Sequence, residues 1–94
     1  MAKPEIETWL KDPQAVLDWT WNWSDWLQEG EEVASTSSTI SPGLIIDEMT
    51  NTSTTITVWI SGGTVGNPYR VTVQVVTNQG RTDERSALIR VTNR

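Results

Sequence analysis

The fold of this chain is decided by the stretch YRVTVQVVTNQG, residues 69–80. Tyr69, Val71, Val73 and Val75 alternate with more polar residues, and a period of two is typical of a strand with one buried face. Asn-Gln-Gly then supplies a hairpin turn with glycine at the left-handed position. In a second alternating segment, from about residue 81 to residue 92, Ala87, Ile89 and Val91 should point inward, so this region predicts an antiparallel β-hairpin.

The same pattern recurs upstream. Alternating or β-branched segments cover residues 15–23, 32–41 and 54–60, and a short apolar run covers residues 44–46. A single capped helical turn is predicted over residues 24–27 and a polar turn over residues 49–53. Six or seven short strands at this spacing, with no helix longer than a turn, predict an all-β, immunoglobulin-like antiparallel β-sandwich.

The N-terminal segment lacks either periodicity. Pro4 and Pro13 bracket a stretch whose apolar residues, Ile6, Trp9 and Leu10, would be hard to bury in a small sandwich. The sequence therefore predicts a short extended arm over residues 1–13 and a single domain over residues 14–94.

Composition excludes several function classes. The chain has no histidine and no cysteine, which removes the commonest general base, the commonest nucleophile and the usual zinc ligands. We therefore expect no enzymatic activity, catalytic residue, metal or cofactor. A net charge of −5 argues against nucleic-acid binding. The absence of cysteine also fits folding in a reducing cytosol. No apolar run is long enough for a membrane span, and no export signal is visible.

Charge is distributed unevenly. Ten of the twelve acidic residues lie at or before Glu48, and all five arginines lie at or after Arg70. Opposite charges of this kind could pair between neighbouring copies of the chain. The alternative is that the charges are simply dispersed over a solvated surface.

Six tryptophans and no phenylalanine are a heavy aromatic load for 94 residues. Trp19, Trp21 and Trp23 share one side of a strand and are expected to pack inside or under the end loops. Trp59 lies opposite the apolar residues of its strand and should point outward, so together with Trp9 it is a candidate contact to a neighbouring chain. An exposed indole could instead stack on a sugar ring.

Four sequence blocks carry a resemblance to a known family: Val16–Trp19, Trp23–Leu27, Trp59–Thr64 and Gly80–Arg85. In this order, within residues 12–91, they resemble small virion proteins of tailed bacteriophages of the fibre-tail adaptor type. The hairpin also resembles that of immunoglobulin-like modules, in which a tyrosine at this position bonds back to loop backbone.

The resemblance implies a non-enzymatic structural protein of the virion, made in the host bacterial cytoplasm, that assembles at a head-tail or tail-fibre junction. The implied partners are identical or related subunits, as a homo-oligomer, and tail, portal or fibre proteins. The alternative is a carbohydrate or host-surface binding module. The candidate interface residues are Ile6, Trp9, Leu10, Trp59, Arg81, Arg85 and Arg90. The candidate structural residues are Leu17, Trp21, Leu27 and Tyr69.

Overall fold

A computed structural model describes residues 7–93, which form seven β-strands. The strands are β1 (Glu7–Lys11), β2 (Leu17–Asn22), β3 (Val33–Ile40), β4 (Leu44–Asn51), β5 (Thr55–Gly62), β6 (Pro68–Thr77) and β7 (Thr82–Val91).

The strands form two sheets that pack face to face. One sheet has the order β1-β7-β6-β3 and the other the order β2-β5-β4. Every pairing is antiparallel except that of β1 with β7, which is parallel. The predicted all-β sandwich is confirmed, whereas its immunoglobulin-like assignment stays a prediction. Within residues 7–93 no helix is long and apolar enough to cross a membrane.

The core comes from the alternation seen in the sequence. Each of the long central strands directs every second side chain between the sheets. The fully buried residues of these strands are Ile56, Val58 and Ile60 of β5, Val71, Val73 and Val75 of β6, and Ala87, Ile89 and Val91 of β7. The inward sides predicted for these three strands are therefore confirmed.

Part of the predicted arm belongs to the sandwich. Glu7–Lys11 forms β1 and pairs with β7 from Ala87 to Val91. Five residues are too short for the sequence period to reveal a strand, and the pairing joins segments about 80 positions apart in the chain. Residues 1–6, including the candidate contact Ile6, lie outside the described residues.

One other local prediction needs correction. Residues 49–51 do not begin a turn but complete β4, which runs to residue 51. A shift of register between Ile46 and Glu48 hides the alternation of this strand in the sequence. The predicted helical turn is present as a single turn that begins at Trp23, whose carbonyl accepts from the Leu27 N–H at 3.0 Å.

Candidate interaction surfaces

Three tryptophans close one lateral edge of the sandwich, where β1 of one sheet faces β2 of the other. The Trp9 and Trp19 rings are stacked, with centroids 4.9 Å apart and an interplanar angle of 7°. Trp9 also contacts Trp21 at 5.1 Å in a tilted arrangement. Trp9, for which a partner in another chain was predicted, thus packs against its own domain, because β1 brings it opposite Ile89 on the inward side.

One end of the sandwich, which we call the Arg81 end, comprises residues 23–32, 52–54 and 77–81. Its centre is the Glu31 carboxylate, whose side chain is fully inaccessible. Arg81 forms an ion pair with it through two donors, one of them Nε at 2.9 Å from Oε2. The Thr77 hydroxyl donates to Oε2 at 2.6 Å and the Gln28 N–H to Oε1 at 2.9 Å. The guanidinium of Arg81 also lies 4.1 Å from the Trp26 ring centroid.

These hydrogen bonds favour the charged forms of both partners. The Arg81 hydrogen bond, helped by those of Thr77 and Gln28, lowers the pKa of Glu31 from 4.5 to about 2, although burial opposes the shift. The bond to Glu31 likewise raises the pKa of Arg81. Bidentate pairing of this kind is stronger than a neutral hydrogen bond and fixes geometry. Arg81 therefore joins the β6–β7 turn to the segment that follows β2.

A second bridge lies beside it. Trp23 is fully buried, and its indole N–H donates to Asp83 Oδ2 at 2.9 Å. Arg85 lies 4.7 Å from the Trp23 ring centroid and donates to the Asn22 carbonyl at 2.8 Å. Since Trp23 follows β2 and both charged residues belong to β7, this contact joins the two sheets.

The opposite end, which we call the Tyr69 end, comprises residues 11–16, 41–43, 62–68 and 91–92. The buried Tyr69 hydroxyl accepts from the Thr64 N–H at 2.9 Å. This bond, with a further one from Asn67, lowers the pKa of Tyr69. Gly43 packs so closely on the tyrosine ring that a Cβ there would lie 2.9 Å from Cε1. Tyr69 thus fixes the loop that precedes its own strand.

Lys11 is fully buried at the same end. Its ammonium donates to the carbonyls of Gly62 at 2.7 Å and Asp12 at 2.9 Å. Burial lowers the pKa of Lys11, and the nearby charges of Asp12 and Asp47 partly oppose the shift. Through these hydrogen bonds the Lys11 side chain joins the end of β1 to the end of β5.

The outer side of the β2-β5-β4 sheet carries what we call the acidic face: Asp18, Ile45, Glu48 and Trp59. Trp59 pairs with Asp18 on one side and with Glu48 on the other, so an indole lies between two carboxylates. Trp59 is 37% exposed and Ile45 58% exposed. The three strands contain no lysine or arginine, and the face is therefore uniformly negative.

The outer side of the other sheet carries what we call the arginine face: Leu10, Arg70, Leu88 and Arg90. Arg90 lies opposite Leu10, and Arg70 lies opposite Leu88. Leu10 is 47% and Leu88 37% exposed, and both arginines are exposed. Neither guanidinium forms an ion pair with another residue among residues 7–93. The face is therefore apolar and positive.

The structure divides the sequence-predicted interface residues into two groups. Leu10, Trp59 and Arg90 are exposed on outer faces. Arg81 and Arg85 are partly buried and engaged within the chain. Arg70 was not singled out from the sequence, although its outward position in the alternation of β6 was the available signal.

The sequence-predicted structural residues also differ from one another. Tyr69 and Trp21 are buried, and Leu27 packs partly buried against the core. Leu17 lies on the inward side of β2 but is 37% exposed, because it starts an edge strand. Among residues 7–93 no group of three acidic side chains is arranged to hold a metal ion.

A comparison with curated proteins finds no match. A family model does match, over residues 11–90, and its description is "Podophage GP4 fiber-tail adaptor protein gp77". The matched segment begins at the last residue of β1 and ends one residue before the end of β7, so it includes β2 to β6 in full, the whole acidic face, and the arginine face except for Leu10. A match of this extent shows that the chain belongs to the podophage fibre-tail adaptor family and is a structural component of the phage tail.

Proposed function

We propose that the chain joins tail and fibre components of the virion by protein–protein contacts on the outer faces of its sandwich. Its partners are tail, portal or fibre proteins and identical or related subunits, which it meets after synthesis in the host cytoplasm. The function is assembly at a junction, without catalysis.

The observation that carries this proposal is the family match over residues 11–90. The geometry adds support, because both broad faces of the sandwich keep large apolar side chains exposed beside charged ones. Exposed apolar residues grouped with charges are typical of protein interfaces.

A carbohydrate-binding role draws less support. Sugar platforms usually combine two or three coplanar aromatic rings, and Trp59 is the only aromatic residue on the outer side of β2, β5 and β4. The nearby hydroxyls of Thr20 and Thr57 are bonded to each other at 2.8 Å.

The test is deletion of the gene from a phage that encodes this chain, followed by electron microscopy of the particles. We expect particles whose tails lack fibres, and restoration of the fibres when the chain is supplied from a plasmid. Cross-linking of wild-type virions should join the chain to tail and fibre proteins. Fibres at normal occupancy on particles without the chain would refute the proposal.

A further inference from the structure

We propose that the acidic face of one copy docks onto the arginine face of a second copy. This inference deepens the proposed function, on which it rests, by naming another copy of the chain as a partner. The two faces lie on opposite sheets of each sandwich. Every copy can therefore use its acidic face in one contact and its arginine face in another.

The two faces match in composition. Two carboxylates, Asp18 and Glu48, meet two guanidiniums, and two exposed apolar residues, Trp59 and Ile45, meet two leucines. Arginine pairs with carboxylates through two parallel hydrogen bonds and stacks favourably on an indole ring. An indole between two carboxylates is thus well suited to receive an arginine side chain.

The two faces also match in pattern. Cross-strand neighbours on one side of a sheet lie about 5 Å apart, so the Asp18-Trp59-Glu48 row places its charges roughly 10 Å from each other. On the arginine face, Arg70 lies opposite Leu88, which is two residues from Arg90 on the same strand. The two arginines are therefore diagonal neighbours on adjacent strands. The charged residues of each face are therefore close enough together to be covered by one docked sheet.

The contact joins different surfaces of two identical chains. Such a heterologous contact closes into a ring or continues as a filament, according to the rotation between copies. Repetition of the chain around a tail axis is one arrangement that it would produce.

The test measures self-association of the full chain by sedimentation equilibrium and native mass spectrometry at low salt. We expect assemblies larger than the monomer that dissociate as salt rises, because salt screens exposed ion pairs. Reversing the arginine face (Arg70→Glu with Arg90→Glu) or the acidic face (Asp18→Arg with Glu48→Arg) should weaken association by roughly 100-fold or more.

Mixing the two reversed variants gives the sharpest outcome. The arginine face of the first variant is now negative and the acidic face of the second is now positive, so an equal mixture should associate where each variant alone does not. The control is Asp25→Arg with Glu29→Arg, which reverses two exposed charges in the β2–β3 connection. This control should leave association within about twofold of the wild type.

The proposal is overturned if the wild type is monomeric up to about 1 mM or if the mixture of variants fails to associate. Its failure is distinguishable from failure of the proposed function. A monomeric chain that still cross-links to tail and fibre proteins in virions overturns the stacking alone. A self-associating chain whose deletion leaves fibres in place overturns the adaptor role alone.

Discussion

The two ends of the sandwich are closed by different chemistry. At the Arg81 end, charged side chains bond to each other, and a carboxylate with no solvent access receives four donors from three residues. At the Tyr69 end, a hydroxyl and an ammonium bond to backbone atoms, and glycines permit the close approach. The first end depends on side-chain charge, whereas the second depends on backbone shape, so different substitutions and different pH ranges should affect each end.

The largest expected effect is at the Arg81 end. Trp23→Ala removes a fully buried indole and leaves Asp83 and Arg85 without their aromatic partner. We expect a loss of about 3–5 kcal/mol in the free energy of unfolding, measured by urea denaturation. Trp59→Ala is the matched control and should cost clearly less, since Trp59 is 37% exposed whereas Trp23 is fully buried. Equal losses from both variants would contradict the structural role of Trp23.

At the Tyr69 end the corresponding test is Gly63→Ala. Gly63 has φ +99°, and a Cβ there would lie 2.6 Å from Val91 Cγ2. We expect a loss of about 2–3 kcal/mol from steric overlap and backbone strain. Gly66→Ala is the control, because Gly66 also has positive φ, at +90°, but nothing within 4 Å. A Gly66 variant as unstable as the Gly63 variant would show that strain alone is responsible.

Acid should weaken the Arg81 end. The pKa of Glu31 is lower in the folded chain than its ordinary value, so the pair stabilises the fold fully above pH 4.5 and loses its contribution as pH falls toward about 2. Glu31→Gln should lower the melting temperature by roughly 5–10 °C at neutral pH. Below pH 3 the difference between the variant and the wild type should shrink. A difference that stays constant with pH would contradict the ion pair.

The smallest expected effect is on stability at alkaline pH. It comes from burial of a charged group, whereas the acid effect comes from hydrogen bonds to one. Burial lowers the pKa of Lys11, so the unfolded chain binds the extra proton and the fold gains stability as pH rises toward 10.5. Lys11→Met should reduce this gain as pH rises toward 10.5, measured in thermal melts. Tyr69 contributes a shift of the same sign in both proteins and so cancels in the difference. An unchanged gain in the variant would contradict a buried ammonium.

The inward sides of the central strands could be predicted from the sequence, whereas the contacts that close the two ends could not. Alternation located the inward sides of β5, β6 and β7, because burial on one side of a strand imposes a period of two on the local sequence. The Glu31–Arg81 pair spans 50 positions, and no local period reports which distant charge will be the partner.

The same limit applies to the tryptophan edge and to β4. Stacking of Trp9 on Trp19 depends on β1 and β2 lying at the same edge of two different sheets. The Thr-Asn end of β4 has a composition typical of turns, and only pairing with β5 makes it a strand. Arg81 and Arg85 resembled surface charges for the same reason, since their partners lie at the end of β2 and in the β2–β3 connection, 50 or more positions away in the sequence.

The parallel pairing of β1 with β7 has a mechanical consequence. Residue 7 lies at the start of β1 and residue 93 beyond the end of β7, so tension between them pulls the two strands past each other along their length. All five paired positions of the ladder then bear load together, instead of opening one after another as in a zipper. Lys11 and the stacked Trp9 add side-chain resistance to the sliding of β1. A tail component with this geometry bears a pull between its two ends as shear between β1 and β7, and the paired residues do not separate one at a time.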